Sequence, residues 1–183
     1  MAKDAVHGAL EKLVGLLAAG PIPYALIGAM ALNEYGYRRV TVDVDILLTR
    51  DGLDAFKRAY LGRGYLEKFP GSRGMRDTEH GVDIDVVLAG EYPGDGKPKP
   101  VAFPDPGMAA VAGARVRLLP LPKLMELKLA SGMSAPHRLR DLADVLEIIR
   151  LQRLPEEFAA QLDPSVRDKF RELWRAAQHA DRE

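Results

Sequence analysis

The chain has 183 residues, about half of them apolar, which suffices for an ordinary domain with a buried core and argues against a disordered chain. Lys plus Arg and Asp plus Glu both number 26, so the formal net charge is zero and the basic excess typical of a non-specific nucleic-acid-binding protein is absent. The lack of cysteine excludes disulfides, thiolate metal sites and a cysteine nucleophile.

The first half of the chain alternates between helical and strand patterns. Apolar residues at helical spacing predict a helix over residues 4–18. A strand, a helix opened by Gly28, a second strand, a helix capped by Asp51 and a third strand follow, at residues 24–27, 29–35, 42–48, 51–61 and 65–69. Residues 70–79 are rich in Gly and Arg and are interpreted as a loop, and residues 82–88 alternate again as a strand.

The second half is irregular at first and then helical. Residues 90–107 are rich in Pro and Gly and predict a long irregular connection, and residues 115–119 predict a last strand. Helices are predicted after it at residues 123–131, 136–151, 155–162 and 165–179. We therefore expect an α+β fold with a mixed core over residues 1–120. A C-terminal helical segment over residues 121–183 would pack on that core, or both would form one domain.

Two predicted strands carry paired aspartates, Asp43 with Asp45 and Asp83 with Asp85. Side chains two residues apart on a strand share one face, and aspartate is uncommon in strands. If the strands are neighbours, four carboxylates face one site and repel one another unless a cation lies among them. Mg²⁺ prefers such oxygen ligands, and two ions would suit an in-line phosphoryl or nucleotidyl displacement. The plainer interpretation is solvent-facing acids on a one-sided sheet.

Gly28 lies between an apolar segment and the helix that begins at Ala29. A glycine there lets the backbone approach a phosphate, and a helix N-terminus supplies free N–H groups. Ordinary turn chemistry is the competing interpretation of such a glycine. Arg73 and Arg76, before the second acidic strand, would meet phosphate charge or would simply belong to a charged loop.

Together these motifs resemble a known family. The motif Ile27-Gly28-Ala29, followed after thirteen residues by Asp43-Val44-Asp45, resembles the signature of the polymerase-beta-type nucleotidyltransferase superfamily. That superfamily has a third carboxylate on a later strand; Asp85 matches it best, and Asp83 is the alternative. Residues 27–48 are more narrowly similar to the bacterial abortive-infection (AbiEii-type) toxin branch and its uncharacterised relatives. The fold implied is a small mixed β-sheet flanked by helices.

The helical half resembles later motifs of the same branch. An apolar helix carries Lys128, and a segment with Arg138, Arg140, Asp141 and Asp144 follows. The resemblance implies that Lys128 contacts the nucleotide phosphates and that Asp141 is a further catalytic residue. A surface lysine and the ion pairs of a solvated helix are the plainer interpretation.

The function implied by the resemblance is metal-dependent transfer of an NMP from an NTP to an acceptor hydroxyl, with release of pyrophosphate. Asp43, Asp45 and Asp85 would hold Mg²⁺ or Mn²⁺ and act in catalysis, with Asp85 as the base, while Gly28 and Ala29 would contact the nucleotide. The acceptor stays open among tRNA, another nucleic acid, a protein and a small molecule. A toxin–antitoxin or phage-defence role would add a cognate antitoxin as partner.

One departure from the family signature keeps alternatives open. Ala29 stands where the superfamily usually has Gly or Ser, so it offers no hydroxyl to a phosphate, which favours a non-catalytic binding or regulatory protein of the same fold. A metal-dependent phosphoesterase is a third option.

The longest apolar stretch, residues 24–32, is too short to span a bilayer, and the N-terminus lacks the apolar part of a signal peptide. We therefore expect a cytoplasmic protein without membrane contact.

Overall fold

The computed structural model describes residues 2–180, and side chains from residue 5 to residue 179. These residues form two compact units. The first contains residues 2–34, 38–89 and 104–119, and the second contains residues 35–37, 90–103 and 120–180.

The first unit is a seven-stranded mixed sheet with helices. Its elements, in chain order, are α1 (Ala2–Ala19), β1 (Ala25–Leu26), α2 (Gly28–Glu34), β2 (Asp43–Leu48), α3 (Arg50–Tyr60), β3 (Tyr65–Glu67), β4 (Met75–Asp77), β5 (Val82–Leu88), α4 (Pro106–Ala109), β6 (Val111–Ala112) and β7 (Arg117–Leu118). The strand order is β3-β4-β5-β2-β1-β7-β6. The pairs β2–β5 and β1–β7 are parallel, and the other four pairs are antiparallel.

The alternating sequence of β5 explains how the sheet is oriented. Val82, Ile84, Val86 and Leu88 are all buried, while the residues between them are partly exposed. The buried face contributes to the core of this unit, to which the wholly buried Leu13 of α1 also belongs. Burying each such aliphatic side chain stabilises the fold by about 1.5–3 kcal/mol. The aspartates of β5 consequently lie on the opposite face, which is open to solvent.

The structure corrects two sequence predictions in this unit. Residues 70–79, predicted as a loop, contain β4, which pairs with both β3 and β5. The helix after β2 is capped by Thr49 rather than Asp51, because Thr49 is extended and its hydroxyl accepts the Gly52 N–H at 3.0 Å. The helix therefore begins at Arg50, directly after the strand ends, and Asp51 lies in its first turn, where an acid is favoured.

The second unit is helical. It contains α5 (Leu121–Ser134), α6 (Leu139–Gln152) and α7 (Pro164–Ala180), with 3₁₀ helices at Pro136–Arg138 and Glu156–Gln161. The α-helix predicted over residues 155–162 is thus a 3₁₀ helix. Phe158 stacks on Phe170 of α7 with ring centroids 5.6 Å apart. The α+β class is confirmed, and no helix within residues 2–180 is long and apolar enough to cross a membrane.

Candidate active site

The aspartates of β2 and β5 lie side by side. The two strands are parallel and in register, with Asp43 opposite Asp83 and Asp45 opposite Asp85. Since neighbouring residues on paired strands point to the same side of a sheet, all four carboxylates share the solvent-facing side. We call these four residues the acid face. The structure thus brings together the three aspartates predicted as metal ligands, and Asp83 lies beside them.

Gly28, at the start of α2, lies against the acid face. Its φ is +66°, which side-chain-bearing residues rarely adopt, and a Cβ at this position would overlap the Asp45 carboxylate. The Ile27 N–H also donates to the Asp45 carbonyl at 3.1 Å. Ala29 is only 6% exposed, so its methyl group packs into the protein.

The β5 side of the acid face is neutralised by two basic side chains. The Lys68 ammonium lies 2.6 Å from Asp85 Oδ1 and 3.3 Å from Asp83 Oδ2, and Arg76 Nη1 lies 2.7 Å from Asp83 Oδ1. The hydrogen bond to Asp85 raises the pKa of Lys68 above its ordinary value. Desolvation alone would raise the pKa of Asp83, but the hydrogen bonds from Arg76 and Lys68 outweigh it and lower that pKa. On β2, the Thr41 hydroxyl donates to Asp43 Oδ1 at 2.5 Å.

Lys68 is a site residue that the sequence reasoning missed. It is seventeen residues from Asp85 along the chain, and two strand pairings bring them together. A pattern search along one segment has no signal for such a pair. Arg76, for which the sequence suggests either a phosphate contact or a place in a charged loop, lies on β4 directly opposite Asp83 of β5 and so borders the acid face.

A cleft of about 450 Å³ opens beside the start of β2. Its apolar walls include Val40 and Val42, which are 91% and 70% exposed. The other lining residues are Val6, His7, Met30, Asn33, Glu34, Arg38, Arg39 and Thr41. Thr41 joins the cleft to the acid face, because it lines the cleft and hydrogen-bonds Asp43. This volume lies within the range of small-molecule sites.

A second cluster of side chains that could bind a metal ion lies at the end of β4 and directly after it. Ligand atoms of Asp77, Glu79 and His80 are all within 4.8 Å of one another. Lys12 of α1 already lies among them, with its ammonium 2.6 Å from Asp77 Oδ1 and 2.9 Å from Glu79 Oε2. His80 Nδ1 lies 2.6 Å from the other Asp77 oxygen. This arrangement serves as an ion-pair network that ties α1 to the strand.

Lys128 and Asp141 lie in the second unit, where they contact each other. The Lys128 ammonium is 3.1 Å from Asp141 Oδ1 and 2.8 Å from Asp144 Oδ2, and Asp144 is almost fully buried. The Ser131 hydroxyl donates to the remaining oxygen of Asp141 at 2.6 Å. These contacts join α5 to α6, so Lys128 is a largely buried ion-pair member rather than a surface lysine. The catalytic and phosphate-binding roles predicted for this pair stay predictions.

Comparison with known proteins supports the fold. No protein-family model and no curated protein matches the sequence. A crystal structure of ANT(2″)-Ia in complex with adenylyl-2″-tobramycin is similar, with a TM-score of 0.57 and 12% identity over 90% of this chain and 96% of that one. A solution structure of the antibiotic-resistance factor ANT(2″)-Ia gives a TM-score of 0.53 and 14% identity, with coverages of 98% and 96%.

These similarities establish fold and not substrate, because the identities are low. ANT(2″)-Ia is an aminoglycoside nucleotidyltransferase of the polymerase-beta nucleotidyltransferase superfamily. The sheet-and-helix architecture expected from the sequence is therefore the one found, and it is shared with a nucleotidyltransferase. The narrower resemblance to the AbiEii-type branch stays a prediction.

Proposed function

We propose that this protein transfers a nucleotide from an NTP to an acceptor hydroxyl at the acid face. The observation that carries the proposal is the register of β2 and β5, which sets Asp43 beside Asp83 and Asp45 beside Asp85. Like charges directly opposite on paired strands are destabilising, and a divalent cation among the four carboxylates would relieve their repulsion further than Lys68 and Arg76 do. The fold shared with ANT(2″)-Ia supports nucleotidyl transfer as the general reaction.

The chemistry of the donor set fits Mg²⁺ or Mn²⁺. Carboxylate oxygens are the ligands these ions prefer, and the side chains of Asp83 and Asp85 are 38% and 44% exposed, so a hydrated ion can reach them. In this proposal Asp43, Asp45 and Asp85 hold the metal. When bound, it neutralises the charge that develops on the phosphate oxygens during displacement.

The proposed reaction forms one bond to the α-phosphorus of the NTP and breaks another. The acceptor hydroxyl attacks the α-phosphorus of the NTP and gives its proton to the Asp85 carboxylate. The bond between the α-phosphorus and the oxygen bridging to the β-phosphorus breaks, and pyrophosphate leaves. Backbone N–H groups at Gly28 and Ala29 would orient the phosphates, and the Arg76 guanidinium, 54% exposed, is available to their negative charge.

The cleft beside Asp43 suggests the kind of organic group that binds there. Its walls combine exposed valines with Arg38 and Arg39, against a single carboxylate, Glu34. A nucleotide, which combines a flat base with negatively charged phosphates, suits this lining better than a polycation does. We therefore propose a nucleotide in this cleft, with tRNA, another nucleic acid, a protein and a small molecule as candidate acceptors. An AbiEii-type role would add an antitoxin partner.

A labelling experiment tests the proposal. The protein is incubated with Mg²⁺, a cell extract and each NTP labelled at the α-phosphate or at the γ-phosphate, with tobramycin as a separate acceptor. We expect α-label on an acceptor and no transfer of γ-label; label on tobramycin would identify a small-molecule acceptor. Asp45→Asn should abolish labelling, while Asp54→Asn, an exposed acid of α3, should not. Release of phosphate without any labelled acceptor would contradict transfer and favour a phosphoesterase.

Ala29 favours a second candidate, a non-catalytic protein of this fold that binds or regulates a partner. Its buried methyl group offers no hydroxyl to a phosphate. Binding measurements separate the two candidates, since the non-catalytic protein would bind a partner and show no labelling with any NTP. A flat melting temperature at millimolar concentrations of all four NTPs with Mg²⁺ would favour this candidate.

A further inference from the structure

Lys68 lies against two of the four carboxylates of the acid face. Its ammonium contacts both aspartates of β5, and its side chain is 28% exposed between carboxylates that are themselves partly exposed. Asp85, its closer partner at 2.6 Å, is one of the three proposed metal ligands. An ion coordinated by the same carboxylate would lie close to the ammonium, and two cations at such a distance repel each other.

The hairpin formed by β3 and β4 fixes this lysine in place. The Lys68 N–H donates to the Gly74 carbonyl at 3.2 Å, and its stem lies over Gly74, where a Cβ would come within 3.1 Å of the lysine Cδ. The turn between the strands is held by Lys57, whose ammonium contacts Glu67 at 2.7 Å and the Ser72 carbonyl at 2.5 Å. The backbone and the aliphatic stem of Lys68 are therefore held by contacts within the hairpin.

We propose that Lys68 makes metal binding at the acid face conditional on nucleotide. The proposal rests on the proposed function above. In the nucleotide-free protein the ammonium neutralises Asp85, and a divalent ion arriving alone must displace it. An ion that arrives with a triphosphate brings further oxygen ligands, and the phosphates give the displaced ammonium a new anionic partner. Lys68 thus acts as a positioning residue that couples the two ligands.

Arg76 provides the matched control. It contacts the same face, but its guanidinium pairs with Asp83 and not with Asp85. Lys68→Met removes the charge and keeps an unbranched apolar stem of similar length. Arg76→Met removes one positive charge from the same face and leaves the ammonium on Asp85. If bulk electrostatics governs ion binding, both variants should bind ions more tightly; if the contact with Asp85 governs it, only Lys68→Met should.

The decisive measurement is Mn²⁺ or Mg²⁺ binding without nucleotide, by calorimetry and by the shift in melting temperature. We expect wild type and Arg76→Met to bind the ion weakly and Lys68→Met to bind it at least about tenfold more tightly, a change of about 1.4 kcal/mol. Adding a non-hydrolysable NTP analogue should tighten ion binding strongly in wild type and much less in Lys68→Met. Equal ion affinity in Lys68→Met and wild type would overturn the proposal, as would an equal gain in Arg76→Met.

Two further variants keep the test decisive. Lys68→Arg retains a cation and should bind the free ion as weakly as wild type, whereas Lys68→Gln replaces Lys68→Met if the latter fails to fold. The ion measurements need no catalysis, so they separate this proposal from the proposed function. Tight ion binding by Lys68→Met in a protein that labels no acceptor would leave the role of Lys68 standing and refute transfer. Conversely, if wild type labels an acceptor but binds the free ion as tightly as Lys68→Met does, transfer would be supported and the role of Lys68 refuted.

Discussion

Replacing Gly28 by alanine tests whether the start of α2 and Asp45 form one functional unit. The φ of +66° lies in the left-handed region, which costs a residue with a Cβ roughly 1–2 kcal/mol. The new Cβ would also overlap the Asp45 carboxylate, and forced overpacking typically costs about 1–3 kcal/mol more. We expect Gly28→Ala to lose about 2–5 kcal/mol of stability and to abolish nucleotidyl transfer, because the Asp45 side chain must move.

Gly62→Ala is the control for the backbone part of this effect. Gly62 has a similar φ of +74°, but a Cβ there meets no atom within 4 Å among the described residues. It should therefore lose only the roughly 1–2 kcal/mol of the left-handed conformation and keep full activity. Urea unfolding of the two variants isolates the collision with Asp45 as the difference between them. Equal losses of stability, or full labelling by Gly28→Ala, would refute the close coupling of Gly28 and Asp45.

Three other predictions address the remaining charged groups. Asp45→Asn should leave the stability of the ligand-free protein unchanged or raised while it abolishes labelling; a clear loss of stability with labelling intact would identify a structural aspartate. Lys128→Met should lower the unfolding free energy by about 3 kcal/mol or more in urea, since it strips the ammonium from the almost fully buried Asp144; normal stability with weakened NTP binding would instead support the phosphate role. Burial alone would raise the pKa of Asp77, but hydrogen bonds from Lys12, His80 and a backbone N–H lower it. Its contribution to stability is therefore present above about pH 3.9 and is lost as the pH falls through the lower folded value. Acid titrations of melting temperature should show a smaller loss in Asp77→Asn than in wild type, and equal losses would contradict this contribution.

The parts of the fold that sequence predicts are those whose signal is local. The strand over Val82–Leu88 has the bounds expected from its alternation, because one buried face imposes a period of two on the residues themselves. The long helices of the second unit follow from apolar spacing in the same way. The aspartate pairs of β2 and β5 were visible for this reason as well.

The parts that were missed depend on partners far along the chain. β4 is only three residues long, Met75–Asp77, and it exists because β3 and β5 flank it and satisfy its backbone groups. β6 has two exposed residues, Val111–Ala112, which carry no pattern to detect. The contact of Lys68 with Asp85 needs both the pairing and the register of three strands. The tertiary fold specifies this contact, and no single segment of the sequence predicts it.

The composition of the acid face is unfavourable for the stability of the two strands that carry it. Aspartate is a poor strand former, and parallel pairing in register sets each β2 aspartate beside one of β5, which is an unfavourable arrangement for like charges. Lys68, which contacts Asp83 and Asp85, and Arg76, which contacts Asp83, relieve part of this repulsion. Any polar, uncharged residue would satisfy the solvent-facing side at lower cost. Four carboxylates on this side, and a glycine that tolerates the Asp45 carboxylate only because it has no Cβ, are what the proposed metal and nucleotide site would require.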